Sequence, residues 1–333
     1  MKRCGLLGEK LGHSYSPAIH AELADYDYRL YEVAPEKLGE FLKDGEFDGL
    51  NVTIPYKKAV IPYCAALSPI AQKLQSVNVL VRRADGTLYG DNADAYGFDA
   101  MVKASGISVE GKKALVLGSG GASATVCAVL NELRARSVTV ISRSGEDNYG
   151  NLDRHADAEI IVNTTPVGMY PNCGVSPVDL RQFPRLAGVL DIVYNPARTA
   201  LVMQAETLGI PYMSGLYMLV AQAKRTAEVF EGHAILGSET ERIWKKLGRE
   251  MQNIVLIGMP GSGKSTVGVL CAKALGMPFL DTDLAIQQKT GKLLQKSVDE
   301  LGAEGFLAME EQVIISLDCE NTVLATGGSA AEA

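Results

Sequence analysis

The sequence predicts an α/β protein built on parallel sheets. Short apolar runs rich in β-branched residues recur along the chain, helix-capable stretches separate them, and glycine-rich turns follow two of the runs. At 333 residues the chain is long for one core, so two or three domains of roughly 100 to 200 residues each are expected. Its 47% hydrophobic and 21% charged residues describe an ordinary globular protein. A net charge of −7 disfavours nucleic acid as a partner and leaves room for small anions at local sites. No apolar run approaches the roughly 18 residues of a membrane helix. The opening MKRCGLLGEKLGH is interrupted by glycine, unlike a secretory signal, so a cytoplasmic location without membrane contact is expected. The six cysteines form no C-x-x-C pair, which favours reduced packing residues over a zinc site or a disulfide framework.

The first block runs to about Gly97, with CGLLG, YRLYEV and LNVTI as strands. In GHSYSP, Ser16 is a good N-cap and Pro17 a good first helical residue. A helix start does not account for Ser14, and two hydroxyls beside a helix N-terminus also suit a carboxylate. NVTIPYKK sets Asn51, Thr53 and Lys57 at a strand end and in its loop, where Pro55 stops the ladder. A loop lysine is solvated surface far more often than catalytic, so Lys57 alone says little. SVNVLV and GDNADAYG add Asn78 and Asp94 at the ends of further apolar runs.

In the second block, KALVLGSGGASATVCAVLNEL reads as strand, glycine turn and amphipathic helix, and a second strand, SVTVIS, closes on Ser142, Arg143 and Ser144. This is the outline of a Rossmann dinucleotide unit. Gly118 permits the turn beside Ser119, Gly120 lets the backbone approach a pyrophosphate, and the N–H groups at Gly121 and Ala122 receive its charge. The third glycine position is Ser123. Glycine turns also occur for structural reasons, but here strand, turn, helix and second strand fall in order. Where an NAD enzyme carries an acid for the ribose hydroxyl, Arg143 stands between two hydroxyls, which favours a 2′-phosphate and hence NADP. Glu146 and Asp147 lie just beyond and would repel that phosphate if the loop folded inward. EIIVNTT and GVLDIVY continue the sheet.

GSETERIWKKLGREMQ, charged, helix-capable and holding the only tryptophan, Trp244, reads as the junction to the third block. There Gly258 to Ser265 match G-x-x-x-x-G-K-S, after the strand NIVLIG and before a helical pattern, which is the context of a P-loop. Gly258, Gly261, Ser262, Gly263 and Thr266 would cradle the phosphates of ATP. Lys264 would reach the outer phosphates, and Ser265 would ligate Mg²⁺.

The run GHSYSP, NVTIPYKK, SVNVLV, GDNADAYG, GSGGAS, NTTPVGM, DIVYNPARTALV and GLYMLVAQA resembles the shikimate dehydrogenase family from Met1 to about Leu247. The resemblance implies a substrate-binding α/β domain of residues 1–98 with returning helices 216–250, and a Rossmann NADP-binding domain of residues 99–215. It implies the reversible reduction of 3-dehydroshikimate to shikimate by a monomer or homodimer. Ser14 and Ser16 would then hold the substrate carboxylate with Tyr194 nearby, and Thr53, Asn78, Asp94 and Gln222 the ring hydroxyls. Lys57 would be the acid/base, Thr165 would lie on the cofactor side, and Gly215 and Met218 would border the nicotinamide. The residues agree with these roles: hydride transfer to or from a ring carbon needs one group that gives or takes the proton on its oxygen. Burial of such a lysine disfavours its charge and the Asp94 carboxylate favours it. Two departures touch positioning: Ala93 stands where the family has threonine before Asp94, and Val79 where threonine follows Asn78.

With FLDTDLAIQQKTGK and TVLATGG, residues 251–333 resemble the first part of shikimate kinase, which phosphorylates shikimate. This resemblance implies Asp283 on substrate hydroxyls and Asp281 near the metal. No arginine follows Arg249, Phe306-Leu307 stands where the family has Phe-Arg, and Gly327-Gly328-Ser329 stands for three glycines. Phosphoryl transfer depends on positive charge at the transferring group. The expectation is therefore a complete dehydrogenase followed by a truncated P-loop α/β domain without kinase activity. A bifunctional dehydrogenase and kinase would need the arginines; a non-catalytic nucleotide-binding module would have no use for Lys57 with Asp94. Quinate stays open as an alternative substrate.

Overall fold

The computed structural model describes residues 1–12 and 14–328, so His13 of GHSYSP and Ser329 of the glycine triplet lie outside the described residues. Packing divides the chain into two compact units, Met1–Trp244 and Lys245–Ala333.

The first unit opens with β1 (Arg3–Gly8), α1 (Ser16–Leu23), β2 (Asp27–Glu32), α2 (Leu38–Asp44), β3 (Gly49–Val52) and α3 (Tyr56–Ala59). There follow β4 (Cys64–Leu67), α4 (Pro69–Leu74), β5 (Val79–Arg82), β6 (Leu88–Asp91) and α5 (Asp94–Ser105). The strands form one sheet in the order β2-β1-β3-β5-β6-β4. This sheet is mixed, which corrects the expectation of parallel strands throughout: β5 runs antiparallel to both β3 and β6. The cause is the short turn between β5 and β6, where Gly86 takes φ +83; a connection that short can only return an antiparallel strand. The reversal has a functional consequence. Val79 pairs with both Asn51 and Asp91, so Asn78, the end of β3 and the β6–α5 corner share one edge with the carboxyl end of β1.

Two local expectations change. Helix α1 enters at Tyr15 in α conformation without a side-chain cap, and Ser16 is its first residue; Ser14 Oγ instead accepts from Ser16 N–H at 3.2 Å. Lys57 sits on the single-turn helix α3, not in a loop.

The second sheet is built from β7 (Lys113–Leu117), α6 (Gly121–Glu132), β8 (Ser137–Ile141), β9 (Ile160–Asn163), β10 (Gly188–Asp191), α7 (Ala200–Thr207) and β11 (Tyr212–Ser214). It is parallel throughout, in the order β11-β10-β9-β7-β8. Ala114 to Leu117 and Ile160 to Val162 are wholly buried, as continuous apolar runs require when helices cover both faces. Strand order reverses between β7 and β9, the crevice where doubly wound sheets bind ligands. Helix α8 (Leu216–Glu231) then packs on α5, α1 and β5. Its Ala227 and Phe230 join Cys4, Tyr26, Val79 and Ala93 in one buried cluster.

Helix α9 (Ser238–Glu250) contains the division between the units. The second unit holds β12 (Ile254–Leu256), α10 (Lys264–Leu275), β13 (Phe279–Asp281), α11 (Thr282–Thr290), α12 (Leu294–Ile315), broken at Gly302, and β14 (Val323–Ala325). Its parallel sheet runs β12-β14-β13, so β12 has one neighbour among the described residues. All six cysteines are free. Among the described residues no helix is long and apolar enough to cross a membrane, and no group of three or more His, Cys, Asp or Glu is placed to hold a metal ion.

Candidate functional site

At the shared edge of the first sheet, Lys57 Nζ lies 2.6 Å from Asp94 Oδ2. Both side chains keep partial access to solvent, 30% for Lys57 and 18% for Asp94, which a group that must meet a substrate needs. Asp94 is the first residue of α5, where the helix dipole favours a carboxylate. The corner that presents it is stapled down: Ala93 N–H donates to Asn78 Oδ1 at 2.7 Å, and Asn92 Nδ2 donates to the Ser76 carbonyl at 3.0 Å. The Lys57 carbonyl accepts from Val77 N–H at 2.8 Å, fixing α3 to the same segment. Asn78 thus spends its oxygen on the backbone and keeps its Nδ2 donor without a partner among the described residues. Ala93 and Val79, the two departures from the family pattern, are fully buried against Cys4 and Phe230, so they fill core rather than line the site.

A second network ties this edge to α8. Tyr28 OH donates to Asn51 Oδ1 at 2.8 Å, Asn51 Nδ2 donates to Thr226 Oγ1 at 3.1 Å, and Thr226 donates to the Gln222 carbonyl at 2.9 Å. Burial pushes the Tyr28 phenol well above its ordinary value, so it stays a neutral donor. Beneath it His20 stacks on Tyr28 at 4.1 Å and shares a 2.5 Å hydrogen bond with Tyr26 OH; burial drives its imidazole down to about 3. Tyr28, Asn51 and Thr226 were not assigned roles from sequence, because a relay across β2, β3 and α8 has no signature along the chain.

Tyr194 meets Tyr15 edge to face, 6.0 Å between ring centres, which brings the loop after β10 to the Ser14–Ser16 segment. That loop is anchored by Asp191, fully buried and bonded by Asn163 Nδ2 at 2.9 Å, Thr199 OH at 2.6 Å and Val193 N–H at 3.0 Å. Burial raises the Asp191 carboxyl above its ordinary value. Thr53 is held by its N–H on the Leu7 carbonyl at 2.9 Å, at the carboxyl end of β1. Helices α5 and α8 approach closely at Gly97, where a Cβ would lie 2.8 Å from the Met218 carbonyl; this sets Met218 and Gln222 beside the helix that begins at Asp94. At Gly215 a Cβ would meet the Ile192 carbonyl at 2.1 Å, so only glycine fits there. Among the described residues no hydrogen bond joins Ser14 or Ser16 to the Lys57–Asp94 pair.

At the switch point of the second sheet, Gly118 takes φ +101, and a Cβ there would lie 2.8 Å from Thr165 Cγ2. Ser119, Gly120 and Gly121 are exposed, and open space faces both glycines at the start of α6. A dinucleotide pyrophosphate fits such a cradle: room for close approach, with unsatisfied first-turn N–H groups behind it. Arg143, flanked by Ser142 and Ser144, is exposed and has no carboxylate partner among the described residues. Asp147, one of the two acids that could oppose a phosphate there, instead sits 2.8 Å from His155 Nε2.

In the second unit, Gly261 and Gly263 take φ +74 and +83, and the loop Pro260–Thr266 lines a cavity of about 330 Å³ with Asp283, Thr326 and Gly328. Lys264 Nζ donates to the Gly258 and Met259 carbonyls at 2.7 and 3.0 Å, curled onto its own loop where outer phosphates would draw it. Ser265 Oγ donates to Asp281 Oδ2 at 2.6 Å, which pairs the two residues expected near Mg²⁺. Burial, then the carboxylates of Asp281 and Glu310, raise the Asp283 carboxyl.

Residues 6–80 match the family described as "Shikimate dehydrogenase substrate binding domain", and residues 260–333 match "Shikimate kinase". A shikimate dehydrogenase (NADP(+)) of Clostridium perfringens is 35% identical over 268 residues, covering 74% of this chain and 98% of its own. One from Oleidesulfovibrio alaskensis is 39% identical over 270 residues, covering 74% and 90%. The solved structure of shikimate 5-dehydrogenase from Thermus thermophilus in complex with NADP(H) and shikimate is 31% identical, with a TM-score of 0.67 over 74% of this chain and 99% of that one.

Proposed function

The chain belongs to the shikimate dehydrogenase family, and from that premise we propose that Lys57 and Asp94 carry the NADP-dependent interconversion of 3-dehydroshikimate and shikimate. When bound, NADP supplies the hydride acceptor in oxidation and the donor in reduction. Lys57, as the ammonium, gives its proton to the ketone oxygen during reduction; as the amine it takes the hydroxyl proton during oxidation. Asp94 fixes the Lys57 head by their 2.6 Å contact and accepts from a ring hydroxyl. Ser14 and Ser16, with Tyr194, receive the substrate carboxylate. Thr53, Gln222 and the free Nδ2 of Asn78 take the remaining ring hydroxyls. Gly118 to Ala122 hold the pyrophosphate, Thr165 packs against their turn, Arg143 with Ser142 and Ser144 holds the 2′-phosphate, and Gly215 and Met218 border the nicotinamide.

On this reading residues 1–98 with 216–250 form the substrate domain and 99–215 the cofactor domain of a cytoplasmic monomer or homodimer. Residues 251–333 carry the nucleotide-binding part of a shikimate kinase. There Gly258 to Thr266 would hold ATP, Ser265 and Asp281 Mg²⁺, and Asp283 the substrate, without the arginines that transfer requires.

The observation that carries the proposal is the Lys57–Asp94 contact, because a module that only binds nucleotide has no need of a partly exposed cation and carboxylate paired at this edge of the first sheet. A spectrophotometric assay of the purified chain tests it. NADPH formation from shikimate and NADP⁺ is expected to outpace any reaction with quinate or NAD⁺; no NADPH formation from shikimate would overturn the reading.

A further inference from the structure

The loop after β8 is held in shape by its own side chains. Ser142 N–H donates to the Asp147 carbonyl at 3.2 Å, closing a ring of residues 142–147. Asn148 Nδ2 donates to the Gly145 and Glu146 carbonyls at 3.2 and 3.3 Å, and Asn151 Nδ2 donates to the Glu146 carbonyl at 2.9 Å. A Cβ on Gly145 would lie 2.6 Å from Ser142 Oγ, so a larger residue there would have to turn the Ser142 hydroxyl aside. From this fixed ring the Asp147 carboxylate reaches His155 Nε2 at 2.8 Å. His155, at the end of the 3-10 turn Leu152–His155, is 9% exposed, and its Nδ1 has no hydrogen-bond partner among the described residues. The polar contact of this buried imidazole is therefore the one to Asp147.

Arg143 stands on the same small ring, exposed and without a carboxylate partner among the described residues. A carboxylate released four positions away would either pair with that guanidinium or repel a phosphate drawn to it. We propose that His155 is a specificity-determining positioning residue: by holding Asp147, it keeps Arg143 available to a 2′-phosphate and so sets the preference for NADP over NAD. The inference rests on the reading of Arg143 as the residue that meets this phosphate.

The test is kcat/KM for NADP⁺ and NAD⁺ at saturating shikimate in the full chain and its variants. His155→Ala is expected to lower the NADP⁺ value about three- to tenfold and the NAD⁺ value less than about twofold, the effect of one partly screened charge moving several Å. Asp147→Asn alone leaves the ratio within about twofold, since its charge is already held away, and His155→Ala with Asp147→Asn restores the ratio. His155→Gln, which keeps a donor for Asp147, retains the wild-type ratio and separates this role from packing. Equal losses for both cofactors in His155→Ala, or a double variant as impaired as the single one, overturn the proposal. Arg143→Ala distinguishes the two levels. A selective loss of NADP⁺ there beside an unselective His155→Ala removes only the role of His155, whereas an unchanged ratio in Arg143→Ala overturns the reading of Arg143 and the proposal with it.

Discussion

Strands β7 and β12 each lead into a glycine turn and a helix, the same local arrangement for holding phosphate, yet they are packed differently. Ala114 to Leu117 of β7 are wholly buried between β8 and β9. In β12, Ile254 and Val255 are 36% and 54% exposed, with β14 on one side only among the described residues. The lysines differ in parallel: Lys57 is matched to a carboxylate on another helix, while Lys264 folds onto the carbonyls of its own loop. A phosphate-binding turn is thus specified by a few local residues, whereas a catalytic arrangement needs groups delivered from several elements. In the first unit, two helices, α3 and α5, deliver Lys57 and Asp94 to one contact. In the second, Lys264 is the cation of the phosphate loop, and residues 250–333 hold no arginine to join it at a transferring phosphoryl.

The largest expected effect tests this contrast directly. With shikimate, ATP and Mg²⁺, the 333-residue chain should form shikimate 3-phosphate at least about 10³-fold below the roughly 1–100 s⁻¹ of working kinases, the loss expected without an arginine at the transferring group. Phosphate product at about one turnover per second would show that the second unit is not deficient. Next in size, Lys57→Ala should lower dehydrogenase kcat by about a hundredfold or more with little change in KM, because proton transfer is worth about 10²–10⁴ and acts in the transition state. Near-normal turnover would move the acid/base role elsewhere.

The contrast also marks what the sequence could show. Both glycine turns could be read from sequence because each lies in a short local motif, and the Lys57–Asp94 contact joins two such motifs, NVTIPYKK and GDNADAYG. The antiparallel course of β5 was not, since an apolar run carries no direction and only the Gly86 turn decides it. Strands β4 and β11 were missed as well, one short and half-buried, the other three residues long. Ser16 looked like a cap, but the backbone turns helical one residue earlier. Asp147 could be placed near Arg143 from sequence, yet its direction depends on His155, eight positions on and brought back by a 3-10 turn. Contacts made through folding, such as Asn51 to Thr226, leave no local trace.

A smaller effect sharpens the comparison through stability. His20 lies wholly in the first unit, and burial holds its imidazole at about 3 against the ordinary 6.5. Below pH 6.5 the unfolded chain takes up a proton that the folded unit refuses, so this residue's contribution is present above that pH and is lost as pH falls toward about 3. The slope is about 1.4 kcal/mol per pH unit, or about 2 kcal/mol between pH 6.5 and 5. Trp244, packed edge-on to Tyr217 at 5.5 Å, reports unfolding of this unit by fluorescence. His20→Gln, neutral throughout, should show a correspondingly shallower dependence of denaturation midpoint on pH; an unchanged slope would mean the ring is not kept neutral by burial.

The smallest expected effect is a near absence of one. Removing residues 251–333 should leave dehydrogenase kcat within about twofold, because the first unit has its own sheets and buried clusters, and its proposed substrate, cofactor and proton-transfer groups all lie within Met1–Trp244. The same independence predicts uneven hydrogen exchange. Amides of β12 face one hydrogen-bonded neighbour, and Val255, Ile257 and Met259 around them are more than half exposed, so opening there should cost far less than opening β7 or β9. An apolar strand edge of this kind also pairs readily with other chains, so the intact protein should self-associate more than the shortened one. Light scattering of both forms checks that consequence. Exchange in residues 254–256 as slow as in 114–117, together with a large loss of kcat on removal, would mean that the two units form one cooperative structure and that the contrast between β7 and β12 does not reach function.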